Sequence, residues 1–158
     1  VLVQDCTFTD SFSIASVKAP RGRGAFIENV LYDNCRLVNR DESIKSTRWF
    51  KGAIYLDYFY GEDDYDPASP MPVGEGTSII QDIVFRNIDL ETVEGNAVYL
   101  VGLPESPARR ICLENVTAKG KWGMYAENVE GLFMKNVSVE AEEGDDVRMK
   151  RVKGVVIR

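Results

Sequence analysis

The sequence predicts an all-β chain coiled as a parallel β-helix, and three observations carry that expectation. One line recurs five times: Val1-x-Val3-x-Asp5-Cys6-x-Phe8, Ile27-x-x-Val30-x-Tyr32-x-Asn34-Cys35-x-Leu37, Ile80-x-x-Ile83-x-Phe85-x-Asn87-Ile88-x-Leu90, Ile111-x-Leu113-x-Asn115-Val116 and Val129-x-x-Leu132-x-Met134-x-Asn136-Val137-x-Val139. Within each copy apolar residues alternate at period two, which marks a strand with one face inward. The Asn or Asp positions step by 29 (5 to 34), 53 (34 to 87), 28 (87 to 115) and 21 (115 to 136), spacings that fit turns made of short strands stacked on their neighbours.

The elements follow in order. The first copy opens at Val1-Leu2-Val3, and a second short strand comes at Ser13-Ile14-Ala15-Ser16-Val17. The second copy is followed by Ala53-Ile54-Tyr55-Leu56, the third by Ala97-Val98-Tyr99-Leu100 and the fourth by Gly123-Met124-Tyr125-Ala126. The step of 53 is two turns or one turn carrying loops, since it holds 40–51 and the long loop 58–77. A β-sandwich is the competing architecture, but the Asn-Gly and Asp-Gly pairs of tight hairpins are absent. Leucine-rich repeats are excluded because helical stretches are missing. At the bends the recurrent Asn tolerates left-handed φ, and its amide is expected to bond to the backbone or to the equivalent Asn of the next turn as a ladder. That reading also accounts for the sequons at Asn115 and Asn136.

Composition narrows the functions. Nineteen Lys+Arg against 25 Asp+Glu leave a charge of −6, so neither nucleic acid nor a membrane surface is an expected partner. No stretch approaches the ~20 apolar residues of a membrane helix. The chain has no His, which removes Ser-His-Asp and Cys-His catalysis and imidazole metal sites. Cys6, Cys35 and Cys112 are too widely spaced for a disulfide framework or a metal motif and are expected to be buried thiols. The chain begins at Val1 within a strand; it is expected to be one domain over 1–158, the later turns of a longer solenoid whose open first strand invites self-association.

Two segments carry chemistry. In Lys18-Ala19-Pro20-Arg21-Gly22-Arg23-Gly24 the glycines allow a sharp bend that gathers the cations of Lys18, Arg21 and Arg23. Such a cluster suits a carboxylate or sulfate; the alternative is a solvated bend whose cations pair with acids of neighbouring turns. The loop Tyr58-Phe59-Tyr60-Gly61-Glu62-Asp63-Asp64-Tyr65-Asp66-Pro67 combines aromatics that stack on sugars with four acids, but lacks the Gly and Glu of a calcium loop. Glu142-Glu143-Gly144-Asp145-Asp146 reads as an acidic turn only.

The run Val17-Lys18-Ala19-Pro20-Arg21-Gly22-Arg23-Gly24-Ala25-Phe26-Ile27-Glu28-Asn29-Val30 resembles the segment of glycoside hydrolase family 28, the polygalacturonases, in which Arg-Ile-Lys precedes Gly-Arg-Gly-Gly and a Val-Glu-Asn-Ile strand. Gly102-Leu103-Pro104-Glu105-Ser106-Pro107, Leu113-Glu114-Asn115-Val116 and Ala126-Glu127-Asn128-Val129-Glu130-Gly131 resemble later turns of bacterial members. The resemblance implies a right-handed single-stranded parallel β-helix, inverting hydrolysis of a galacturonan without a cofactor or metal, and a secreted or periplasmic parent. It places Lys18 on the Lys that holds the substrate's carboxylate, and Ser16 where the motif has Arg. Arg21 and Arg23 add charge, and Tyr58, with Tyr60 as a near alternative, matches a Tyr lining a subsite. The paired Asp motifs and the His that precede Arg-Ile-Lys in the family have no counterpart here, so no residue of the chain is expected to be catalytic. A non-catalytic solenoid, either a degenerate homologue that only binds acidic glycans or a structural module, and a hydrolase for another uronate or sulfated glycan, are the alternatives.

Overall fold

A computed structural model of the chain describes residues 1–41, 43, 50–60 and 66–158. Among these residues there are eleven strands and no helix: β1 Leu2–Gln4, β2 Thr7–Thr9, β3 Ala15–Lys18, β4 Phe26–Ile27, β5 Val30–Asn39, β6 Gly52–Asp57, β7 Ile79–Thr92, β8 Asn96–Val101, β9 Ala108–Gly120, β10 Trp122–Ala141 and β11 Val147–Ile157. Every pairing between them is parallel. The path β1-β5-β7-β9-β10-β8-β6-β3 is one sheet curled into a half-barrel. Antiparallel hairpins, the requirement of the sandwich alternative, are absent among the described residues.

Register explains why the repeat reads as it does. Tyr32 lies beside Phe85, Phe85 beside Leu113 and Leu113 beside Met134, so the same template position stacks on itself from turn to turn. On the other arm Ala15, Ile54, Val98 and Met124 form a matching column. These columns face one another and merge into a single buried apolar cluster. The direct pairing of β5 with β7 resolves the step of 53: it is one turn carrying long loops. β10 spans both arms, with its first part beside β8 and its later part beside β9.

The bends behave as the recurrent Asn predicts. Asp5, Asn34, Asn87, Asn115 and Asn136 all have φ between 51° and 55°, in the left-handed region. Asn136 donates its side-chain N–H to Asn115 Oδ1 at 3.1 Å, and Asn115 donates to Asn87 Oδ1 at 3.0 Å. Asn34 donates to Asp5. Between them the ladder sidesteps, because Asn87 donates to Asp33 Oδ1. A second left-handed column, Asn29, Asp82 and Arg110, continues through Gly131 and Gly154. The three thiols are free; Cys35 is buried as expected, whereas Cys6 and Cys112 are only half-buried. Burial pushes the Cys35 and Cys112 thiols up, which keeps them protonated and unreactive at neutral pH.

Candidate functional site

β3 alternates cleanly. Ala15 and Val17 enter the core, leaving Ser16 exposed and Lys18 half-buried on the outer face. Register carries both positions across the sheet: Ser16 lies beside Tyr55, then Tyr99, Tyr125 and Arg148, while Lys18 lies beside Asp57, then Val101, Glu127 and Lys150. The side of this arm turned away from the apolar columns is therefore a row of tyrosines, Tyr55 and Tyr99 buried and Tyr125 half-buried, flanked by a row that holds two buried carboxylates. Ring centroids of Tyr55 and Tyr99 are 5.8 Å apart, and those of Tyr99 and Tyr125 5.7 Å.

Lys18 closes one end of the row. Its Nζ lies 4.3 Å from the Tyr60 ring centroid and 5.3 Å from that of Tyr55, within cation–π range of both. Burial among these rings lowers the Lys18 pKa, and the Asp57 carboxylate pulls it back up in part. Asp57 is fully buried and accepts hydrogen bonds from the Tyr55 hydroxyl at 2.7 Å, the Phe59 N–H at 2.9 Å and Lys51 Nζ at 3.3 Å. Glu127 repeats the arrangement one rung beyond β8: it is buried, and it accepts from the Tyr125 hydroxyl and from Arg151. Both carboxylates are thus held as acceptors, with neither aimed at an open surface as a general acid or base must be.

The cations of the bend have separate fates. Arg21 is an internal clamp: its guanidinium forks onto Glu105 at 2.9 and 3.0 Å, donates to Ser69 O at 3.1 Å and lies 5.0 Å from the Phe59 ring centroid. The pair retains only 18% and 5% side-chain exposure. Burial would raise the Glu105 pKa, but hydrogen bonds from Arg21 and the backbone, together with the guanidinium charge, hold it below the usual carboxylate range. Arg23 is exposed and makes no ion pair among the described residues. The glycines act as expected: Gly22 and Gly24 have φ of 82° and 58°, and both N–H groups donate to Gly76 O at 3.0 Å.

Tyr58 requires a correction. It is fully buried and its hydroxyl accepts the Ile80 N–H, so it supports the loop from inside and offers no face to a ligand. Burial pushes its hydroxyl pKa well above the usual tyrosine range. Tyr60, two residues on, is the ring that meets Lys18. The acids Glu62, Asp63 and Asp64 of the same loop, with Tyr65, lie outside the described residues. Beyond them Asp66 accepts from Ala68 N–H and Ser69 Oγ, and Asn128 donates to Pro67 O at 2.8 Å, which ties the loop to β10.

Lys18 and Tyr60 are therefore the anticipated residues that the structure brings together, whereas Arg21 and Tyr58 serve the fold. Sequence reading missed Tyr55, Lys51 and Asp57. The signal was present in the Tyr-x-acid pattern of Tyr55/Asp57 and Tyr125/Glu127, masked because those strands read simply as apolar. Among the described residues no three His, Cys, Asp or Glu side chains gather as a metal site. No protein-family model, no curated protein and no solved structure matches the chain.

Proposed function

We propose that the chain is part of a right-handed parallel β-helix of the family-28 kind and forms the substrate-binding side of a cleft for polygalacturonate-type acidic polysaccharide. The observation that carries this reading is the Lys18 ammonium on the outer face of β3, set between the rings of Tyr60 and Tyr55. A uronate unit asks for a point charge for its carboxylate, which Lys18 supplies, and an aromatic surface for its ring, which the half-buried Tyr60 supplies while the buried Tyr55 packs beneath Lys18. Arg23, exposed five residues further along the same bend, supplies long-range attraction in a chain of net charge −6. Arg21 contributes by holding the bend against Glu105.

The test is calorimetric titration with tetragalacturonate. The reading expects binding of the acidic sugar, and a roughly tenfold loss on Lys18→Ala, about 1.4 kcal/mol. Unaltered affinity in that variant would refute it.

A second reading, a glycan-binding solenoid without hydrolytic activity, is favoured by the locked state of Asp57 and Glu127. Neither reading expects reducing-sugar release from polygalacturonate by the purified chain, and such release would overturn both. We also propose self-association through the β1–β3 end, where Val1, Leu2 and Phe12 are exposed. Sedimentation that stays monomeric as concentration rises would contradict it.

A further inference from the structure

The far end of the tyrosine row opens into a pocket of about 300 Å³ that the Lys18 site does not use, lined by Asn96, Trp122, Tyr125, Glu143, Asp145 and Arg148. From Lys18 on β3 to Tyr125 on β10 is three strand spacings, about 14 Å. One wall is the acidic turn between β10 and β11. Hydrogen bonds fix that turn in place: Glu142 N–H to Gly120 O at 3.0 Å, Glu143 N–H to Lys121 O at 2.8 Å and Met124 N–H to Asp146 O at 2.8 Å. Gly123 lets it approach, because a Cβ there would collide with the Asp146 backbone oxygen. The pocket is thus preformed by backbone contacts, and its size suits a single sugar ring.

The lining specifies the ligand. Trp122 is 37% exposed, so its indole remains available as a stacking surface. The Arg148 guanidinium lies 4.7 Å from the Tyr125 ring centroid and makes no ion pair among the described residues. Stacked in this way, it keeps its N–H edge for a ligand. Glu143 and Asp145 are exposed carboxylates beside it. Lys121, whose Nζ is 5.4 Å from the Trp122 ring centroid, is paired with Glu94 at 3.3 Å. Two carboxylates against one available guanidinium disfavour an acidic sugar. Donor and acceptors side by side match vicinal hydroxyls, which accept from Arg148 and donate to the carboxylates.

We infer that this pocket binds a neutral pyranose ring, through stacking on Trp122 and a diol bridge between Arg148 and the Glu143/Asp145 pair. The site is independent of Lys18 and extends the functional face to a sugar of different charge.

The experiment follows the Trp122 indole N–H by NMR, assigned with Trp122→Phe, while the full chain is titrated with cellotetraose, β-1,4-galactotetraose and tetragalacturonate. A neutral tetrasaccharide is expected to shift that signal and to bind about tenfold more weakly to Arg148→Ala and Glu143→Gln, with Lys18→Ala unchanged. The circular dichroism and melting temperature of each variant establish that it is folded. The inference is overturned if neither neutral sugar shifts the signal at millimolar concentration, if tetragalacturonate alone shifts it, or if both pocket variants bind like the parent. Loss of tetragalacturonate binding in Lys18→Ala reports separately on the acidic site.

Discussion

Two polar regions of this molecule invite comparison: the bend lined by Asp5, Asn34, Asn87, Asn115 and Asn136, and the outer face of β3, β6, β8 and β10. In the first, one residue type recurs on successive turns, and neighbouring amides satisfy one another. In the second, the Tyr-x-acid pair recurs at Tyr55/Asp57 and Tyr125/Glu127, but Lys18 does not recur, and it meets rings rather than its own kind. A stacked architecture makes repeated polar groups partners of each other, while unrepeated groups are left for contacts outside the repeat. Arg21 shows that an unrepeated cation can still find an internal partner, when a loop from a distant turn brings one within reach.

The largest expected effect is on backbone that only glycine allows. Gly24→Ala would place a Cβ against the Glu75 backbone oxygen at φ 58°, and Gly123→Ala would drive one into Asp146 O. Each should destabilise the chain by about 3 kcal/mol, read as a lowered urea midpoint. In the ladder, Asn115→Ala removes a donor to Asn87 and an acceptor for Asn136, and forces an ordinary residue to φ 53°. A loss of about 2 kcal/mol with unchanged glycan affinity is expected. If Asn115→Ala weakened tetragalacturonate binding instead, the division between the two regions would fail.

Smaller effects sharpen the contrast among the cations. Arg21→Ala leaves Glu105 buried without its fork and should cost about 1–3 kcal/mol of stability, detected by thermal melting, with little change in affinity. The same pair sets an acid limit. Because the Glu105 pKa is lowered in the folded chain, its contribution is complete above the ordinary carboxylate range and is lost as pH falls through the folded value. Arg21→Ala should therefore flatten the acid limb of a stability–pH curve. Lys18 has the opposite dependence in binding: with its pKa lowered by burial, it discharges as pH rises before an ordinary lysine would. Tetragalacturonate affinity should fall on the alkaline side below the usual lysine range, and Lys18→Arg should move that fall upward.

How legible the structure was depends on the range of the cause. Strand positions, inward faces and left-handed Asn bends are local consequences of alternation and side-chain size, and Tyr32, Phe85, Leu113 and Met134 sit in the single column that their spacing implied. The bend at Gly22 and Gly24 was equally local. The partner of Arg21 lies 84 residues away, and no spacing rule identifies Glu105 without knowing which turns touch. Tyr58 shared its loop with Tyr60, and only the packing beneath Ile80 decides which ring turns inward. The pocket beside Arg148 was hidden for a related reason: the acidic turn of 142–146 acquires a neighbour only when the backbone of 120–124 comes beside it.

The most direct test is the melting temperature of the parent chain, Lys18→Ala and Asn115→Ala, each with and without tetragalacturonate. At a hundred times its dissociation constant the sugar should stabilise the parent and Asn115→Ala alike by about 2.7 kcal/mol, and Lys18→Ala markedly less, although Lys18→Ala melts like the parent when sugar is absent. Equal stabilisation of all three, or none of the parent, would contradict the assignment of the outer face as the place where this chain meets its ligand.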